Sequence, residues 1–169
     1  MTQAHYHPTP QTHRYTPDWP AAVYSGLIAG AIFLMLEMIM VPLFLGESAW
    51  GPPRMIAAIV LGKDVLPPPA TFHLGIFTAA MSVHFSLSII YAVIFDWVTE
   101  RLGLATTILL GAVFGLALYL INFYGFTVIF PWFAMARNWV SIFAHIVFGM
   151  SVAVAYKEIE QYRARPALV

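Results

Sequence analysis

The amino-acid sequence predicts an all-α integral membrane protein, a four-helix bundle with one short extra helix. Of the 169 residues, 60% are hydrophobic and only 9% are charged, whereas about 25% of the residues of a soluble domain are charged. Four segments are also long and apolar enough to cross about 30 Å of hydrocarbon, which takes about 20 residues. The predicted spans are approximately 20–45, 71–98, 104–130 and 137–156.

A short apolar segment, "RMIAAIVLG" at 54–62, lies between the first two spans. It follows two prolines and ends at a glycine, which is typical of a short helix. Because it is too short to cross a bilayer, it either lies in the membrane interface or enters the membrane as a re-entrant segment. Of the two, we favour the interface.

Polar segments flank the bundle, which we place at 20–157. Residues 1–19 form a Pro- and His-rich tail without the apolar core of a cleavable signal peptide, and residues 158–169 form a polar C-terminal end. Loose metal binding by the tail is conceivable, but a solvated tail is the simpler interpretation. The histidines of the tail are His5, His7 and His13.

Composition and charge exclude several classes of function. The chain has no cysteine, so disulfides and thiolate metal sites are excluded. Its formal net charge is zero and it has no basic block, so we expect no nucleic-acid partner. Five Lys or Arg residues flank the spans on the side of both termini and three on the other side, which favours cytoplasmic termini.

Each span carries one strong candidate for a functional polar residue. These residues are Glu37, His84, Asn122 and His145. Polar side chains inside a membrane are costly and usually face the bundle interior. At about 1.5 Å of rise per residue, the depths of these four residues along their spans are compatible with a shared site in the outer half of the membrane.

Glycine patterns put these residues on helix-contact faces. In "GLIAGAIFLMLE" of span 1, helical spacing puts Gly26, Gly30 and Glu37 on one face, and small residues four apart let helices approach closely. The equivalent residues of "GAVFGLALYLIN" in span 3 are Gly111, Gly115 and Asn122. This match suggests two repeated hairpins, although Gly-x-x-x-Gly also occurs by chance in apolar helices.

In span 4, small and polar residues form a single stripe along one face of the predicted helix. Its members are Asn138, Ser141, His145, Gly149 and Tyr156. The spacing predicts that Asn138 and Ser141 point into the bundle together with the histidine. It also predicts that Gly149 permits a close helix contact.

Several kinds of site are compatible with this set of side chains. His84, His145 and Glu37 match the ligands of many transition-metal sites, and two histidines on facing helices can ligate haem b. The same groups could form a proton relay. They could also be a polar packing knot, whose hydrogen bonds fix helix register at about 0.6 kcal/mol each.

Three segments resemble the YagU-like bacterial inner-membrane proteins. They are "LEMIMVPL" around Glu37, "SVHFSLSIIYAV" around His84 and "VSIFAHIVFG" around His145. The resemblance implies a compact set of helices with histidines in corresponding places and a location in the bacterial inner membrane. Related sequences carry the label sodium:proline symporter. We reject that activity because such transporters need many more spans and a pair of broken helices.

The working hypothesis is a small non-enzymatic membrane protein with an intramembrane polar core. In this hypothesis, the polar residues of the four spans form either a packing knot or a metal or haem site. One alternative is an accessory subunit of a larger respiratory or photosynthetic type of complex, with a partner subunit or a second copy of the chain against its helices. The second alternative is a conductor of protons or small solutes.

Overall fold

The computed structural model describes residues 18–99 and 102–164, and this part of the chain is helical without strands. The predicted tail up to residue 17 and the last five residues lie outside the described residues. The five α-helices are α1 (Trp19–Met40), α2 (Gly51–Leu61), α3 (Leu74–Thr99), α4 (Leu104–Leu120) and α5 (Trp139–Ala164). Helices α1 and α4 each continue into a π-helical turn, Val41–Leu45 and Ile121–Gly125. Short 3-10 segments lie in the connections at Lys63–Val65, Phe126–Val128 and Pro131–Ala136.

The predicted fold class is confirmed. Four helical segments in the described part of the chain are long and apolar enough to span a membrane, and α2 between the first two is too short to do so. The membrane-spanning segments are Trp19–Leu45, Leu74–Thr99, Leu104–Val128 and Trp139–Arg163. The chain is therefore a small membrane protein built as an all-α four-helix bundle.

Side-chain caps set the starts of the first and last spans. Asp18 accepts a hydrogen bond from the backbone N–H of Ala21 at 3.2 Å, and this satisfies one of the free donors at the start of α1. Asn138 does the same for Ser141 at 3.0 Å at the start of α5. Asn138, which the sequence analysis assigned to the polar stripe, therefore also begins the helix that carries the stripe.

Helix α5 is the centre of the bundle. It packs along α4 on one side and along α1 on the other, while α3 packs against α1 and α2 packs against α3. At one end an ion pair joins Asp18 before α1 to Arg163 near the end of α5, with 3.0 Å between Oδ2 and Nε. We call this the termini end of the bundle and the other, where α2 lies, the loop end.

The contact between α4 and α5 is made by backbone against backbone. A Cβ on Gly111 would collide with the carbonyl oxygen of Gly149, and a Cβ on Gly149 would collide with that of Gly111. A Cβ on Gly115 would collide with the carbonyl oxygen of His145. These glycines let the helices approach closely, as small residues do in membrane bundles.

The contact between α1 and α3 follows the same plan. A Cβ on Gly26 would lie 2.8 Å from both Ile89 Cα and the Ser88 carbonyl oxygen, and one on Gly30 would lie 2.7 Å from Ser88 Oγ. In both helix pairs the second glycine of the motif faces the turn of the partner helix that carries its histidine, His84 or His145.

Replacing Gly149 by alanine tests the backbone contact. Because the new methyl group has no space beside Gly111, we expect Gly149→Ala to lower the free energy of unfolding by about 2 kcal/mol. The measurement is the unfolding free energy in detergent micelles. Gly125→Ala is the control, since a Cβ there meets no atom within 4 Å. Equal stability of the two variants would contradict this packing.

Candidate functional site

A cavity of about 320 Å³ lies at the loop end, between the four spanning helices and α2. The polar residues that line it on the helices are Glu37, His84, Ser88, Asn122, Ser141 and His145, which we call the polar cluster. Tyr91 and Asn138 also line the cavity. The four polar residues predicted from the separate spans, together with Ser141 and Asn138, thus reach one space.

The rest of the cavity wall is mainly apolar and rich in aromatic rings. The phenylalanines that line it are Phe33, Phe123, Phe126, Phe130, Phe133 and Phe148. Helix α2 covers the cavity with Met55, Ile56 and Ile59. The indole N–H of Trp132 donates to the Met55 carbonyl oxygen at 3.0 Å and so ties the 3-10 helix of the last loop to α2. An apolar wall with a few convergent polar groups is the usual composition of a small-molecule site.

A directional chain of hydrogen bonds joins α3, α4 and α5. The Tyr91 hydroxyl donates to Asn122 Oδ1 at 3.4 Å, and Asn122 Nδ2 lies 3.3 Å from His145 Nε2. His145 Nδ1 lies 2.7 Å from the backbone carbonyl oxygen of Ser141. A carbonyl oxygen only accepts, so Nδ1 carries the proton and Nε2 accepts from the asparagine. Both ring nitrogens of His145 are therefore engaged.

His84 is held in the opposite tautomer. Its Nε2 lies 2.8 Å from the backbone carbonyl oxygen of Gly30 on α1, so Nε2 carries the proton and Nδ1 is left as an acceptor. The Ser88 hydroxyl donates to the backbone carbonyl of His84 at 2.9 Å and not to its ring. The glycine of α1 thus contributes both the close helix approach and the acceptor that orients the histidine.

The ring of Phe33 contacts both histidines. It stacks on His84 with 5.5 Å between ring centroids and meets His145 edge-on with 4.8 Å between centroids. Within the described residues no three His, Asp or Glu side chains are grouped so that they could hold a metal ion. A metal ion or haem b held by His84, His145 and Glu37 therefore has no support in the described residues.

Glu37 is the least satisfied member of the polar cluster. Only 5% of the residue is exposed, and its Oε1 is buried without a hydrogen-bond partner. The side chain of Ser141 on α5 is its polar neighbour. A buried carboxyl oxygen without any partner is costly, so Oε1 takes its partner from the cavity, either water or a ligand.

The structure adds residues that the sequence analysis did not single out. Phe33 lies one turn before Glu37, and that spacing could have placed it on the same face. Glu47 lines the cavity from the loop after α1 and is exposed, and only the fold brings it there. Asp96 and Lys157 are buried near the termini end, far along their helices from the cavity. Asp96 is a second ionisable residue of the span that carries His84.

An apolar layer lies between the cavity and the buried polar residues of the termini end. It consists of Ala29, Ala92, Phe95, Leu118, Phe148, Val152 and Ala153. Phe148 and Leu118 face the cavity from this layer. The polar cluster is therefore closed off on the side of the termini.

Comparisons with known proteins identify no relative. No protein-family model, no curated protein and no solved structure matches this chain. The geometry of the cavity is therefore the basis for assigning a function.

The two histidines provide a spectroscopic prediction. We expect His84 to be protonated at Nε2 and His145 at Nδ1, because each of these nitrogens faces a backbone carbonyl. Nitrogen-15 NMR of histidine-labelled protein in bilayers distinguishes the tautomers, and the variants His84→Gln and His145→Gln assign the signals. Finding both rings in the same tautomer would contradict the described hydrogen bonds.

Proposed function

We propose that this chain is a non-enzymatic membrane protein that binds a small amphiphilic molecule in the cavity at the loop end of the bundle. In this proposal the polar cluster holds the polar part of the ligand and the phenylalanine wall holds its apolar part. The observation that carries the proposal is the buried, unpartnered Oε1 of Glu37 at the wall of a 320 Å³ cavity.

The cavity favours ligand binding over a packing knot. A polar knot that only fixes helix register gains most when all its members bond to one another. Asn122 and His145 satisfy that condition through their chain of hydrogen bonds. Glu37 does not, and the space beside it is large enough for a small organic molecule.

The hydrogen bonds also favour binding over catalysis. A serine nucleophile needs a base within hydrogen-bond reach. The Ser88 hydroxyl instead donates to the His84 carbonyl oxygen, and His84 Nε2 is bound to Gly30. At His145 the backbone of Ser141 and the side chain of Asn122 occupy both ring nitrogens. These bonds orient the two rings as fixed walls of a site.

We place the protein in the bacterial inner membrane with both termini in the cytoplasm. The support is the resemblance of its histidine-bearing segments to the YagU-like proteins and the bias of Lys and Arg toward the termini side. The cavity then opens toward the outer half of the membrane. A conductor of protons has less support, because the apolar layer interrupts the polar groups along the bundle.

Binding of a minimal amphiphile tests the proposed function. The probe is 4-phenylbutan-1-ol, titrated calorimetrically into the protein in lipid nanodiscs, with empty nanodiscs as the reference. We expect saturable binding at one site per chain with a Kd of about 1 mM or below.

A variant that fills the cavity locates the binding. Gly51 lines the cavity and a Cβ there meets no atom within 4 Å, so Gly51→Phe adds a ring with little strain. We expect it to weaken binding by roughly tenfold, about 1.4 kcal/mol. Gly103→Phe at the termini end is the control, since its Cβ is equally free. Equal binding by both variants, or no saturable binding to the parent protein, would refute the proposed function.

A further inference from the structure

We infer that the ligand of this cavity is an organic cation, an amphiphile with a primary ammonium group and an aromatic or alkyl body. This inference rests on the proposed function and specifies the chemistry of its ligand. It follows from the charges, hydrogen-bonding groups and rings that the cavity presents.

Two carboxyl side chains line the cavity, and no Lys or Arg among the described residues that line it balances them. Glu37 lies inside and Glu47 lies at the exposed rim. A cleft lined by charges of one sign attracts ligands of the other sign. The cavity is therefore electrostatically suited to a cation.

The two arginines of the loop end are bound elsewhere. Arg54 donates to the carbonyl oxygens of Val65 and Thr71. Arg137 donates to the carbonyl oxygen of Phe123 at 2.7 Å. Both guanidinium groups thus stabilise loops, and neither forms an ion pair with Glu37 or Glu47 in the described structure.

Two acceptor atoms of the cavity have no donor partner within the protein. The N–H groups of both imidazole rings are bound to backbone carbonyls, and Asn122 donates to His145. Glu37 Oε1 is without a partner, and His84 Nδ1 carries a lone pair. An ammonium group has three donors and no acceptor, so it complements these atoms. An ionised carboxylate or phosphate has only acceptors, so it complements neither of these two atoms.

The aromatic wall fits the same ligand. A cation over the face of an aromatic ring is attracted by the ring quadrupole, and more strongly where water is excluded. Phe33 lies next to Glu37 on the inner side, and Phe126, Phe130 and Phe133 line the cavity from the loop before α5. The rings can surround the carbon chain of the ligand while the carboxyl of Glu37 pairs with its ammonium group.

Three probes of matched length test the inference on the intact chain. They are 4-phenylbutylamine, 4-phenylbutan-1-ol and 4-phenylbutyrate, which differ only in the polar end, titrated at pH 8 into the protein in nanodiscs of uncharged lipid. We expect the amine to bind at least about tenfold more tightly than the alcohol, and the carboxylate to bind most weakly. Equal or weaker binding of the amine would overturn the inference and leave the proposed function intact. Failure of all three probes to bind would overturn the proposed function.

Carboxyl-to-amide variants locate the charge that selects the amine. Glu37→Gln should remove the preference for the amine over the alcohol while the alcohol still binds, because the amide keeps an acceptor and loses the charge. Glu158→Gln, on an exposed position of α5 near the termini end, should leave the preference unchanged. An unchanged preference in Glu37→Gln would overturn the assignment. If that variant does not fold, the comparison of the three probes on the parent protein decides the inference.

Discussion

Close contacts at glycine residues fix how α1 meets α3 and how α4 meets α5. At Gly111 and Gly149 the helices α4 and α5 approach so closely that a single methyl group has no space. This contact fixes α4 against α5 and so brings Asn122 to within 3.3 Å of His145. In lipid, where helix association depends on packing and not on exclusion of water, such contacts are the main source of a defined register.

The same constraint explains why the site is asymmetric. In each helix pair the second glycine of the motif faces the histidine-bearing turn of its partner. Asn122 then bonds to the histidine of its own pair, whereas Glu37 faces Ser141 on α5, in the other pair. The difference leaves Glu37 Oε1 without a protein partner, whereas Asn122 and His145 bond to each other. In the proposed function, a ligand in the cavity beside that oxygen supplies the partner that the protein does not.

The fold class could be predicted from the sequence because hydrophobicity and length are local properties of the chain. The convergence of Glu37, His84, Asn122 and His145 on one cavity also agrees with helical spacing and with the cost of exposing polar groups to lipid. Spacing specifies a face of a helix but not which neighbour the face meets. The pairing of Glu37 with α5 depends on α5 being the central helix, and that arrangement results from packing between distant segments.

Two further features of the site were beyond the reach of the sequence. Phe33 contacts both histidines, and within the described residues no three His, Asp or Glu side chains are grouped so that they could hold a metal ion. The covering of the cavity by α2 depends on contacts between loops, such as the hydrogen bond from Trp132 to Met55. Composition indicated a short helix there but not the surface that it covers.

The central claim is that the free oxygen of Glu37 is the atom that contacts the ligand. Isotope-edited infrared difference spectroscopy observes this carboxyl directly when glutamate is carbon-13 labelled and 4-phenylbutylamine is added to saturation. The account predicts a shift of one carboxyl band that appears with ligand binding and is missing in Glu37→Gln. A ligand that saturates the protein while the Glu37 band stays unchanged would contradict the account.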